Sequence, residues 1–267
     1  MKLFKFTFGK FIFTVIIILL YTNLSFSQWA PPFRKGGAIF SLRYYQSSEY
    51  YDASGIKRSS DNDATFRKYE LGVYYTLGLG KKFGLFTGFS FAALNYEDKY
   101  VDNNSAGFTN PQVGVVYQFT EYPKLVSGVL ASVILPIHFP RNASVELGGK
   151  FFEYDLAFAV ADGFSISKAT GFWSLGIGGR YRANEFNEFQ YRFYTSDGID
   201  FSKKVSFFLL VEYAASTNTA FRSLKLGGTL LYKFNKSLGL GIFTEYIPYG
   251  KNIGIGPTAG LSLWYSF

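Results

Sequence analysis

From residue 38 onward the chain alternates apolar and polar positions with a period of two, in runs too long to be accidental and out of phase with any helix. The clearest run is 68–78, where Tyr69, Leu71, Val73, Tyr75 and Leu77 oppose Lys68, Glu70, Gly72, Thr76 and Gly78. About ten residues in one phase match the length a tilted strand needs to cross a bilayer. Residues 83–94 repeat the pattern, with Leu85, Phe89 and Phe91 against Gly88, Ser90 and Ala92. So do 38–44, 112–119, 152–160, 173–182, 189–193, 205–213, 224–234 and 238–246, while 125–135 is apolar on both faces and declares no phase. The final stretch sets Ala259, Leu261, Leu263, Tyr265 and Phe267 against Gly260, Ser262, Trp264 and Ser266. In water, a strand with an unpartnered apolar face invites aggregation. In a transmembrane barrel the same strand closes the cylinder, and lipid solvates the face. The pattern predicts an all-β fold: one transmembrane antiparallel up-and-down β-barrel of about twelve strands, an even number as bacterial barrels require.

The connections agree in part. Long polar segments at 46–64 and 97–109 alternate with short ones at 80–82, 121–123 and 235–237, as expected of long outer loops and tight periplasmic turns. Segments 161–168 and 196–203 read as longer turns on the periplasmic side, and 183–187 as a short outer connection. A β-sandwich is the soluble alternative, but its strands are shorter and its outer face need not be so continuously apolar.

Composition strengthens the membrane reading. Aromatics make up 21% of the chain and charged residues only 17%, more large apolar surface than a soluble core of this size hides. Lys2, Lys5 and Lys10 precede an apolar run at 11–20, and Ser25 and Ser27 supply small residues for a peptidase. Residues 1–27 therefore read as a signal peptide cleaved after Ser27, which leaves 28–267 as the barrel and places it in the cell outer membrane. Losing that leader lowers the formal excess of +8 by three lysines, to an unremarkable level.

The alternation also places charges on the inner face. Arg43, Glu70, Glu153, Asp155, Arg180, Arg182, Arg192, Glu212, Lys225 and Glu245 all fall on the polar phase, in the outer half of their strands. Neighbouring strands present opposite signs: Arg43 with Glu70, Glu153 and Asp155 with Arg180 and Arg182, Arg192 with Glu212, and Lys225 with Glu212 and Glu245. Below them the inward positions read mostly as Gly, Ser, Thr and Ala. Such a ring either lines a water-filled constriction or pairs tightly and closes the lumen. The small residues below it favour room for a pore.

Several features align with a known family: Lys35, Gly36 and Gly37 opening strand one, Tyr44 and Tyr45 closing it, and Tyr51, Asp52 and Gly55 in the first outer loop. Tyr75, Leu77 and Gly78 follow, then the strand from Pro111 to Tyr117, Leu135 with Pro136, and the strand from Gly178 to Arg182 leading to Asn187 and Glu188. In this order the chain resembles the phenol meta-pathway outer-membrane β-barrel family, described as transporters. The resemblance implies a barrel and uptake of small hydrophobic or aromatic compounds. In families of this barrel architecture, a C-terminal aromatic pattern such as that of Tyr265 and Phe267 looks like the signal read by the barrel-insertion machinery.

Other chemistries find little support. His138 is the single histidine, and Ser144 is the nearby hydroxyl; no orienting partner at a recognisable spacing completes a catalytic set. Asp61, Asn62 and Asp63 lack the rest of a calcium loop, and cysteine is absent, so no metal or cofactor is expected. Gly176, Gly178 and Gly179 lie on a strand and form no nucleotide fingerprint. Basic residues are scattered, which argues against nucleic acid. The expected partners are outer-membrane lipid and a small-molecule solute. The competing reading is a closed structural or adhesive barrel whose outer loops, 46–64 above all, bind a ligand.

Overall fold

The computed structural model of the chain describes residues 30–120, 125–137, 149–166, 169–183, 187–217 and 221–267. The leader 1–27, the turn 121–123, and His138 with Ser144 lie outside the described residues. Among the described residues sixteen strands follow in order: β1 (Gly36–Ser47), β2 (Glu49–Tyr51), β3 (Lys57–Ser59), β4 (Thr65–Gly78), β5 (Phe83–Glu97), β6 (Asp102–Phe108), β7 (Gln112–Gln118), β8 (Val126–Ile134), β9 (Glu153–Ile166), β10 (Ala169–Arg182), β11 (Glu188–Asp200), β12 (Val205–Ser216), β13 (Arg222–Lys233), β14 (Leu238–Lys251), β15 (Ile253–Ile255) and β16 (Thr258–Ser266).

Thirteen of them form one antiparallel sheet, which closes on itself through the pairing of β1 with β16 and of β4 with β5. Both β6 and β7 pair with β5, β7 along Phe83 to Gly88 and β6 along Phe91 to Glu97. They are two halves of a single stave, so the wall has twelve. The break falls at Thr109, Asn110 and Pro111, where proline has no N–H to give the ladder. Asn110 uses the gap: its amide donates to the Gly149 carbonyl at 2.9 Å and its side-chain oxygen accepts from the Ile137 N–H at 3.2 Å. That one buried side chain fastens both ends of the β8–β9 connection to the wall.

The structure corrects the sequence reading at several connections. Residues 97–109 contain β6, because its pairing with β5 is polar: Asn95 donates to Asp102 at 2.8 Å and to Asn104 at 2.9 Å. Such a pair leaves no apolar alternation to find. The segments read as periplasmic turns at 161–168 and 196–203 are in large part strand, since β9 continues to Ile166 and β11 to Asp200. Here glycine interrupts the pattern while rings supply the packing, Phe164 lying over Gly171 and Phe172 over Gly198.

Outward positions are apolar and open, with Leu71, Leu156 and Ile242 each about 60% exposed, whereas inward positions bury charge. That inverts a water-soluble protein and suits a wall standing in hydrocarbon. Register also assigns a phase to β8: Ser132 faces Asp155 and Leu130 faces Ala157, so Gly128, Leu130, Ser132 and Ile134 point inward. At the long-loop end, β2, β3 and β15 form a separate small sheet. It rests on a buried cluster of Tyr51, Ala214, Phe221, Ile247, Ile253 and Ile255, and Ser47 ties the β15 backbone to the rim through the Ile255 carbonyl at 2.8 Å.

Candidate functional site

Cross-strand register brings the inward charges to one height. Arg43 lies opposite Glu70, Asp155 opposite Arg180, Glu153 opposite Arg182, Arg182 opposite Glu188, and Glu212 opposite Lys225. Arg180 grips Asp155 through two nitrogens, Nε at 2.7 Å and Nη2 at 2.8 Å, and its Nη1 lies 3.4 Å from Glu153. Arg182 adds Glu153 at 3.2 Å and Glu188 at 3.4 Å. Arg192 donates to Glu212 at 2.8 Å and reaches over β10 to Asp155 at 3.7 Å, while Lys225 takes the other Glu212 oxygen at 3.3 Å. This is one continuous arc across β9 to β13. A second arc on β1, β4 and β14 holds Arg43, Lys68, Glu70 and Glu245; Lys68 pairs with Glu70 on its own strand, and the Arg43 guanidinium lies 5.2 Å from the Phe243 ring centroid. All ten residues anticipated from the sequence lie on the inner face in these two arcs. Lys68 and Glu188 join them, and the alternation already held their signal, since each shares the parity of an inward charge on its own strand.

Together the arcs contain six cations and six carboxylates, and nearly all are buried: Arg180 is 2% exposed and Glu188 is 1%. A balanced belt carries no net charge, and buried charges of this kind need partners more than they supply stability. Polar neighbours complete it, Gln112 donating to Ser132 at 2.8 Å and to Asp155 at 3.4 Å, and Gln190 to Glu188 at 3.3 Å. Beside the belt, Arg43, Tyr45, Lys68, Glu70, Lys225 and Glu245 line a small, partly open pocket of about 40 Å³.

Below the belt the structure departs from the sequence reading. The inner face there is lined by rings: Tyr74, Phe86, Phe172, Tyr194, Phe208, Phe243 and Trp264. Tyr74 lies 6.0 Å from Phe86, and Phe208 stacks on Trp264 at 5.4 Å and contacts Phe172 at 6.2 Å. The glycines that suggested open space seat these rings. A Cβ on Gly176 would meet the Tyr194 ring, one on Gly114 the Phe86 ring, and one on Gly260 the Phe243 ring. Parity alone assigns these aromatics to the interior; that they pack over the glycines of neighbouring strands follows only from the structure.

Among the described residues no cluster of three or more His, Asp or Glu could hold a metal ion. Asp61 to Asp63 form a single exposed turn at the long-loop end.

No protein-family model and no curated protein matches the chain. Solved structures do. The chain is similar to the COG4313 outer membrane channel from Pseudomonas putida F1, with a TM-score of 0.71 at 11% identity, covering 92% of this chain and 100% of that one. It is similar also to the KdgM porin in complex with disordered oligogalacturonate, with a TM-score of 0.53 at 11% identity over 86% of this chain and 99% of that one. The transport unit of the autotransporter AIDA-I from Escherichia coli gives 0.51 at 7% identity over 97% of both chains. At such identities the likeness is one of fold, a closed antiparallel β-barrel.

Proposed function

We propose that the protein is an outer-membrane barrel that passes small molecules passively, with apolar or aromatic compounds as its cargo. The observation that carries this reading is the interior: a charge-balanced belt of paired, mostly buried groups standing above an inner face lined by Tyr74, Phe86, Tyr194, Phe208 and Trp264. A water-filled pore for ions would leave its charges solvated and its walls polar; aromatic walls instead solvate a ring or an alkyl chain. Two of the similar folds are an outer membrane channel and a porin, which supports passive passage, and the phenol meta-pathway resemblance supports the class of cargo. On this reading residues 1–27 are removed on export. The short turns then face the periplasm, and the C-terminal strand β16 engages the insertion machinery.

The test is permeation by the refolded protein in lipid vesicles. Small aromatic hydrocarbons should equilibrate across the vesicle wall faster than in protein-free controls, while ion conductance in a planar bilayer stays low. Large, ohmic ion conductance with no acceleration of aromatic compounds would reverse the assignment of cargo, and no permeation of either kind would remove transport altogether.

One observation favours a second reading, a closed barrel used for adhesion. The sheet of β2, β3 and β15 lies over the loop end on its own apolar cluster. Deleting residues 49–59 separates the two: a channel should gain permeability, whereas an adhesin should lose binding to its target and keep its permeability.

A further inference from the structure

The charge of this barrel is distributed unevenly between its two ends. The belt is balanced, and at the loop end acids meet bases in pairs: Lys57 with Glu49 at 2.7 Å, Arg58 with Asp52 at 3.1 Å, Arg67 with Glu97 at 3.1 Å. At the short-turn end, Lys35, Lys81, Lys203, Lys204 and Lys236 are exposed and have no acidic partner among the described residues. Among the described residues the one ion pair in that region joins Lys233 to Asp200. The basic excess of the described barrel is therefore concentrated on one rim.

The same turns carry exposed phenylalanines, each within a few residues of a lysine. Phe33 precedes Lys35, Phe83 follows Lys81, Phe201 precedes Lys203 and Lys204, and Phe234 precedes Lys236; all four rings are more than half exposed. Lysines grouped without counter-charge repel one another, and the phenylalanines between them gain by leaving water. A bilayer interface accepts both, the rings among the acyl chains and the ammonium groups at phosphate height.

We propose that this rim is a docking surface for the anionic headgroups of glycerophospholipids in the leaflet it stands in. The inference rests on the membrane placement proposed above. It assigns a specific chemistry to one end of the barrel: selection of a phosphodiester with net negative charge over a zwitterionic one. Lysines on separate turns engage separate lipids, so the rim gathers an annulus rather than a single bound molecule.

The experiment uses the full mature chain in vesicles of phosphatidylcholine with and without phosphatidylglycerol, with spin-labelled versions of both lipids reporting which is immobilised at the protein. The labelled phosphatidylglycerol should be preferred by at least about fivefold, the factor that one engaged lysine supplies near an anionic surface. The preference should shrink as salt is raised. Lys35→Gln, Lys81→Gln, Lys203→Gln, Lys204→Gln and Lys236→Gln combined should bring it close to one, whereas Lys99→Gln with Lys251→Gln at the loop end should leave it unchanged. Insertion is read separately by heat-modifiable mobility on gels. A wild-type chain that inserts into neither vesicle overturns the membrane reading and this proposal with it, whereas insertion without lipid preference overturns the proposal alone. A preference that survives both high salt and the five substitutions also overturns it. So does equally tight, salt-sensitive binding of soluble polyglutamate, which would make the partner a periplasmic polyanion.

Discussion

Arg180 is the residue on which the larger arc converges, with two bonds to Asp155 and a contact to Glu153. Removing one member of a buried ion pair leaves its partner's charge uncompensated, a loss of about 3–5 kcal/mol, whereas replacing both by apolar groups is close to neutral. Arg180→Ala should therefore lower the urea midpoint of the vesicle-embedded barrel sharply, and Arg180→Met with Asp155→Leu should recover most of it. If the single and double variants unfold alike, the pair is not what holds the arc. Tyr194 works differently, since its ring occupies the space over Gly176. Gly176→Val should displace that ring and cost about 1–3 kcal/mol by overpacking, while Tyr194→Ala should raise aromatic permeation several-fold. An unchanged flux in Tyr194→Ala would mean that the ring does not limit the path. Individual inward charges such as Arg180 and Glu212 were legible from alternation alone, because parity on a two-residue period decides which face a side chain takes. The role of Gly176 was not, because a glycine reads the same whether the space beside it is open or filled by a ring from the next strand.

At the scale of elements, the staves with apolar outer faces could be read, and the strands that pair through polar or very short segments could not. β6 escaped because Asn95, Asp102 and Asn104 pair with one another across the ladder. β2, β3 and β15 escaped because three residues carry no period. The β2–β3 hairpin is instead fastened by a side chain. The Asp52 carboxylate accepts N–H bonds from Ile56 and Ser54 at 2.9 Å and pairs with Arg58, and the backbone bond from Ile56, followed by those from Arg58 and Ser54, holds its pKa below the usual carboxylate value. A depressed folded pKa contributes stability that is complete above the unfolded value, about 4, and lost as pH falls through the folded one. Limited proteolysis within 49–59 should therefore be slow and constant from neutral pH down to about 4 and accelerate only below it. Asp52→Asn should be cut faster at neutral pH and show little further change on acidification. Acceleration that begins near pH 6 in the wild type would point to some other group.

For the whole molecule the decisive event is closure, because a twelve-stave sheet left open exposes two edges to hydrocarbon with no water to satisfy them. β1 and β16 meet at that seam, in register from Gly37 with Ser266 to Tyr45 with Thr258. Beyond the last register pair, Gly36 and Phe267 exchange both backbone hydrogen bonds at 3.2 Å. The side chains reinforce the seam from outside: Phe267 stacks on Tyr75 of β4 at 5.8 Å and lies 6.0 Å from Tyr265. Gly36 is required for this fit, since a Cβ there would strike the Thr76 carbonyl and press on the Phe267 ring. Each of those aromatics contributes roughly 1.5–3 kcal/mol by leaving water, and neither touches the belt or the lower lumen. Tyr265→Ser with Phe267→Ser should therefore reduce the yield of heat-modifiable, membrane-embedded barrel several-fold, while the fraction that does assemble passes aromatic compounds at the wild-type rate. Substituting Leu240 and Ile242, equally apolar and on the neighbouring β14, should cost less, because that strand is held on one side by β13, its sequence neighbour across the short turn 234–237. Full assembly of the Tyr265 and Phe267 variant would show that backbone pairing alone closes the ring; slow permeation through correctly assembled barrels would show that the seam also shapes the path.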